Sequence, residues 1–104
     1  MKFAYHPTMC PVDQYVPLVQ AAEEAGFDTF TFPDSICYPK EGSDVYPYND
    51  DGTREFLDGV PFLEPFVAIP YLAAITKNIR FTTSVVKLAI RQPVIVAKQL
   101  STLG

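Results

Sequence analysis

Apolar positions along this chain switch between short runs and helical spacing three times over. Phe3-Ala4-Tyr5 is a brief apolar run that predicts a first strand, closed by His6-Pro7. Over residues 13–25 the period becomes helical. Val12, Tyr15, Val16, Val19, Ala22 and Ala25 fall near one face, while Gln14, Gln20, Glu23 and Glu24 lie mostly elsewhere. Asp13 is the expected N-cap. Pro17 falls in or just after the first turn, where its missing N–H does least harm. Gly26 is the expected C-terminal stop. Residues 27–32 (FDTFTF) predict a second strand, rich in aromatic and β-branched side chains. Phe27, Phe30 and Phe32 do not alternate strictly, so burial on both faces is expected.

The third unit begins further on. Residues 64–77 predict a helix, with Pro65 in its first turn and Phe66, Ile69, Leu72, Ala73 and Ile75 on its buried side. Pro70 lies inside it and removes a backbone hydrogen bond. Residues 80–86 (RFTTSVV) predict a third strand, and residues 87–92 its outgoing loop. Pro93 opens a helix running through Val96, Ala97 and Leu100 to about Leu103, with Gly104 as a possible cap.

Alternating strands and helices predict parallel strands joined by crossover helices, in a doubly wound sheet or a (β/α)₈ barrel. The dinucleotide-binding version fails at its key turn. His6-Pro7-Thr8-Met9-Cys10-Pro11 contains no glycine to approach a phosphate. Three β/α units cannot close a barrel and make only a thin open sheet, so the expectation is an α/β chain that is the first part of something larger.

Residues 33–63 interrupt the pattern. They hold Pro33, Pro39, Pro47 and Pro61, three glycines, and the acids Asp34, Glu41, Asp44, Asp50, Asp51, Glu55 and Asp58 against Lys40 and Arg54. Loops this long are usually functional or disordered. The interleaved Tyr38, Tyr46 and Tyr48 favour a packed lid or subunit contacts. Asn49-Asp50-Asp51-Gly52 lacks calcium-loop spacing and its terminal Glu, so no metal site is expected.

Composition narrows the class. At 104 residues and 48% hydrophobic, the chain has ample apolar content for a core. Its net charge of −4, without basic clusters, gives no electrostatic reason to bind nucleic acid or an anionic membrane. No signal peptide or membrane-spanning run is evident, and a cytoplasmic location is expected. Cys10 and Cys37, without CxxC spacing, read as free structural thiols.

Three segments resemble the luciferase-like monooxygenases, which are flavin- or deazaflavin-dependent (β/α)₈ barrel enzymes. They are Glu23-Glu24-Ala25-Gly26-Phe27-Asp28-Thr29 with Phe32-Pro33-Asp34; Glu64-Pro65-Phe66-Val67-Ala68 with Leu72-Ala73-Ala74-Ile75-Thr76 and Ile79-Arg80-Phe81-Thr82-Thr83; and Arg91-Gln92-Pro93-Val94 with Ala97-Lys98-Gln99-Leu100-Ser101-Thr102-Leu103. Order and spacing match together. The resemblance covers most of the chain, which corresponds to roughly the first third of a barrel of ~250 or more residues. Residues 1–104 are then the N-terminal part of such a domain, carrying a long acidic loop.

The resemblance implies an oxidoreductase that transfers hydride or oxygenates a small organic substrate. Strands one and three lack barrel neighbours, which favours self-association, and a homo-oligomer is expected. The resemblance leans toward the deazaflavin coenzyme F(420), with FMN as the alternative. Asp34-Ser35-Ile36-Cys37-Tyr38-Pro39 is similar to a variant of the deazaflavin branch. Ser84-Val85 stands where many of its members carry a non-prolyl cis peptide behind the cofactor ring. Many relatives place a histidine after the acid that ends strand two; here that residue is Ser35. A competing reading is a non-catalytic flavin-binding or assembly fragment, inactive on its own.

In barrels of this kind the site lies at the C-terminal ends of the strands. That rule selects His6, Asp34 and Ser35 as catalytic candidates, and Thr83, Ser84 and Val85, with Lys87 nearby, as cofactor-facing ones. His6 is either an acid/base group or a hydrogen-bonded residue closing its strand. Asp34 either orients the cofactor or accepts a proton, or else ends its strand in an Asx-type turn. Ser35 is a hydrogen-bond donor, not a nucleophile, because no GxSxG or adjacent base accompanies it. Arg91 is expected to pin its loop through backbone carbonyls.

Overall fold

Phe30 and Phe32 have no exposed surface at all, and the rest of the fold is arranged around the strand that carries them. A computed structural model describes residues 1–42 and 45–104 of the chain. The elements run β1 (Ala4–Tyr5), α1 (Tyr15–Glu24), β2 (Thr29–Phe32), α2 (Pro65–Ala73), β3 (Arg80–Thr83) and α3 (Pro93–Leu103). Single 3₁₀ turns occur at Val12–Gln14, Glu55–Leu57 and Leu88–Ile90. The three strands are parallel in the order β1-β2-β3, with Tyr5 opposite Phe30 and Phe32 opposite Thr83. Three β/α units and an open parallel sheet are thus present as the pattern predicts.

Successive residues of a strand face opposite sides, so Phe30 and Phe32 share a face. Tyr15 of α1 stacks on Phe32 with ring centroids 5.4 Å apart, and Tyr5 and Phe81 flank Phe30 at 5.7 and 6.4 Å. Val19 and Ala22 from α1 and Ile69 and Leu72 from α2 complete the cluster. On the opposite face Thr31 is also buried, so β2 is covered on both sides as expected.

Helix α1 ends in a Schellman motif. Gly26 N–H donates to the Glu23 carbonyl at 3.0 Å and Phe27 N–H to the Ala22 carbonyl at 2.9 Å. Gly26 adopts φ +82, and a Cβ there would meet open space. The cost of a side chain is therefore conformational only. Gly26→Ala is expected to lower stability by about 1 kcal/mol. A urea midpoint that does not fall would show that the turn tolerates a side chain.

Several boundaries differ from the sequence expectation. Asp13 does not cap α1: it sits inside the preceding 3₁₀ turn, which the Gln14 N–H bond to the Pro11 carbonyl closes at 3.0 Å. Helix α2 stops at Ala73, not at residue 77, and leaves Ala73 and Ile75 exposed. The cause lies on α1. The Glu23 carboxylate accepts the N–H groups of Lys77, Asn78 and Ile79 at 2.9, 2.6 and 3.0 Å, drawing that segment out of the helix and into the start of β3. These same donors, Asn78 first, then Ile79 and Lys77, hold the Glu23 carboxyl below the usual carboxylate range. β3 itself ends at Thr83 and not at residue 86.

Helix α3 follows its predicted span but buries only Val96. A groove of about 840 Å³, lined from α2, β3 and α3 by residues such as Ile69, Phe81, Val96 and Leu100, runs beside the unpaired edge of β3. In the long loop, Tyr46 packs edge-on against Tyr48 and Phe56 at 5.6 and 5.4 Å, giving that segment a small aromatic cluster of its own. Asp44 lies outside the described residues. Cys10 is buried and Cys37 exposed, and both are free. No helix among the described residues is long and apolar enough to cross a membrane.

Candidate functional site at the C-terminal ends of the strands

Because the strands are parallel, the residues that follow β1, β2 and β3 emerge at one end of the sheet. His6 follows β1, Asp34 and Ser35 follow β2, and Ser84, Val85 and Lys87 follow β3. The Ser84–Val85 peptide is cis. Val85 projects an apolar side chain with 69% of its surface exposed.

The loop leaving β3 is fixed to the end of β2 at two points. Ser84 N–H donates to the Phe32 carbonyl at 2.8 Å, and Lys87 N–H donates to Asp34 Oδ2 at 2.8 Å. Asp34 is itself held from the far side of that loop. Arg91 Nη1 reaches Oδ2 at 2.7 Å and Nη2 reaches Oδ1 at 3.0 Å, a bidentate pair of the kind guanidinium geometry favours. Arg91 also donates to the Lys87 carbonyl at 3.2 Å and to Glu64 Oε1 at 2.9 Å, while its guanidinium lies 5.5 Å from the centre of the Phe66 ring. Glu64 Oε2 in turn accepts Val67 N–H at 3.0 Å and caps α2. One continuous network therefore joins the exit of β2, the loop after β3 and the start of α2.

This network changes the role of Asp34. Sequence makes it a candidate for proton transfer or for cofactor orientation. In the structure both of its oxygens are already engaged, and its side chain is 1% exposed. Burial raises its pKa, but the Arg91 and Lys87 hydrogen bonds together outweigh that and hold the carboxyl below its ordinary range. A carboxylate kept ionised and bidentate is a poor proton acceptor. The bonds of Asp34 to the Lys87 N–H and to Arg91 tie it to the path of residues 84–87. Arg91 likewise does more than expected: it bonds a carbonyl, yet its main partners are two carboxylates.

The other candidates are placed as follows. Ser35 is half-buried, and its hydroxyl makes no hydrogen bond among the described residues. Ser35 and Lys87 line a common cavity of about 290 Å³ beneath the long loop. Thr83 is half-buried and reaches the groove beside β3 instead. His6 is exposed, its carbonyl accepts Thr8 N–H at 3.0 Å, and it lines neither cavity. Cys10 is buried, and its Sγ donates to the Pro11 carbonyl at 3.3 Å. Burial, and then the charge of Asp13, push its thiol pKa up. No group of three or more potential metal ligands occurs among the described residues.

Sequence reasoning missed the Glu64–Arg91–Asp34 connection. A weak signal existed, since a Glu directly before Pro65 and an Arg two residues before Pro93 each precede a helix start.

A family model described as luciferase-like monooxygenase matches residues 3–104. Uncharacterized proteins of Mycobacterium bovis and Mycobacterium tuberculosis are each 50% identical over all 104 residues. The chain spans 36% of the length of these relatives.

Proposed function

The chain belongs to the luciferase-like monooxygenase family, and from that premise we propose that it forms the first three units of a (β/α)₈ barrel oxidoreductase. The proposed cofactor is the deazaflavin coenzyme F(420), with FMN as the alternative, and the substrate a small organic molecule. In this reading the bound cofactor supplies the hydride or oxygen chemistry, and the protein positions its ring and excludes water. The residues fit such a ring. Val85 offers an exposed apolar surface, and the backbone on either side of it is tied to β2 at Ser84 and Lys87. Ser84 and Val85 would back the ring, with Thr83 supporting them from the end of β3, while Ser35 and His6 would donate or exchange protons on the substrate side. The pinned loop after β3 is the single observation that carries this assignment. A wall for a flat cofactor must keep its shape before the cofactor arrives.

The groove beside β3 fits the same reading, because it is where a fourth barrel strand would pair. It also favours a second reading for these 104 residues taken alone, as an assembly unit without activity. An unpaired strand edge flanked by apolar side chains promotes self-association, and a homo-oligomer is the form expected.

Titrating the folded chain with each cofactor, followed by cofactor fluorescence, tests the first reading. Saturable binding is expected, tighter for the deazaflavin than for FMN, and weakened by Val85→Asp. Tighter FMN binding would change the cofactor. Equal binding by the Val85→Asp chain would remove the ring from this loop. A folded chain that binds neither would favour the assembly unit.

A further inference from the structure

The cavity shared by Ser35 and Lys87 carries a chemical signature that the family assignment does not supply. We propose that it is a subsite for a small aromatic or planar acid, whose carboxylate pairs with the Lys87 ammonium. The inference rests on the reading above, in that the cavity adjoins the loop assigned to the cofactor ring.

Its volume of about 290 Å³ lies near the lower end for small-molecule pockets, which suits one ring with a short polar substituent. Tyr38, Tyr46, Leu57 and Phe62 supply aromatic and aliphatic walls. Such walls favour a flat apolar body through edge and face contacts. Tyr46 is held in place by its packing on Phe56.

Charge selects the polar end of the ligand. The chain carries a net charge of −4, yet the described residues that line this cavity include Lys87 and Arg54 and no carboxylate among them. Arg54 is already engaged within the chain, so the ligand's carboxylate is assigned to Lys87. The Lys87 ammonium forms no ion pair among the described residues. Its backbone is clamped on both sides: the N–H by Asp34 and the carbonyl by Arg91. The flexible side chain therefore starts from a fixed point. The accessible Ser35 hydroxyl is a second donor for the same group. A cationic group beside apolar walls discriminates an acid from its neutral isostere, because only the acid forms a charge-assisted hydrogen bond.

Cys37 lines the same cavity and is exposed, whereas Cys10 is buried, so Cys37 alkylation reports occupancy. The 104-residue chain, without cofactor, would be treated with iodoacetamide in the presence of benzoate or of benzamide. Benzoate is expected to slow Cys37 modification saturably, and benzamide at the same concentration is not. Lys87→Met should weaken the benzoate protection about tenfold, Lys87→Arg should restore most of it, and Lys98→Met should leave it unchanged. Circular dichroism checks that each variant is folded. Equal protection by benzamide, protection unaffected by Lys87→Met, or no protection by either compound would each overturn the subsite. Cofactor is absent throughout, so failure of the flavin or deazaflavin titration leaves this result standing, and the reverse holds as well.

Discussion

Phe30→Ala is expected to lose about 3–5 kcal/mol of folding stability, enough to leave much of the chain unfolded at room temperature. Phe30 is completely buried and touches aromatic partners on three sides: Tyr5 from β1, Tyr15 from α1, and Phe81 from β3. Alanine would remove the transfer energy of the ring and leave a cavity at the centre of a three-stranded sheet. Chains of this size have about 5–15 kcal/mol in total. Two of the three strands here also have an unpaired edge, so little reserve is expected. Val67→Ala provides the contrast. Val67 is on α2 with 72% of its surface exposed, and its truncation should change stability by no more than about 0.5 kcal/mol. Urea denaturation of both variants is the measurement. A Phe30→Ala midpoint as close to the original as that of Val67→Ala would mean that the core lies elsewhere.

The centrality of β2 was readable before any coordinates, because it rests on local chemistry. Aromatic and β-branched residues bounded by Gly26 and Pro33 mark a strand, and the helical spacing of Tyr15, Val19 and Ala22 identifies the face that packs on it. Prolines and glycines did similar work elsewhere. Gly26 ends α1, and Pro65 and Pro93 begin α2 and α3. What stayed hidden were hydrogen bonds between residues far apart in sequence. Glu23 meets Ile79 across 56 positions and Asp34 meets Arg91 across 57. Periodicity carries no trace of such pairs. The end of α2 differs from its expected place for the same reason, since the Glu23 carboxylate holds the N–H groups of residues 77–79 in the approach to β3. The site was legible to a similar depth. The rule that barrel sites gather at strand C-termini pointed to one end of the sheet, and the family resemblance anticipated the cis Ser84–Val85 peptide found there. The division of labour within the site depended on where Arg91 lands.

That division gives the second large effect. Asp34→Ala is expected to cost about 3 kcal/mol, because removing one partner of a buried pair leaves the other's charge uncompensated. Arg91 would retain Glu64, which is more exposed, and its place over Phe66. Asp34→Asn preserves the shape and isolates the charge. The Asp34 carboxyl is held below its ordinary pKa, near 3.9 in an unfolded chain. Its stabilisation is therefore fully present above about pH 5 and is lost as pH falls through about 4 toward the lower folded value. Glu23 and Asp51 are also held low and contribute in the same window in both chains, so only the difference between the original and the Asp34→Asn chain reports on Asp34. That difference should be largest near neutral pH and shrink on acidification. The same variant separates positioning from proton transfer. If Asp34 acts only by holding residues 84–87, Asn should weaken cofactor binding at every pH where the chain is folded, because the Lys87 N–H anchor loosens with the loss of charge. If it acts on a proton instead, cofactor binding should persist while turnover in a full-length relative is abolished. Binding that persists in Asp34→Asn together with lost turnover would therefore return Asp34 to the chemistry, and persistence by itself would leave the shape of the β3 loop to Ser84 and the Phe32 carbonyl.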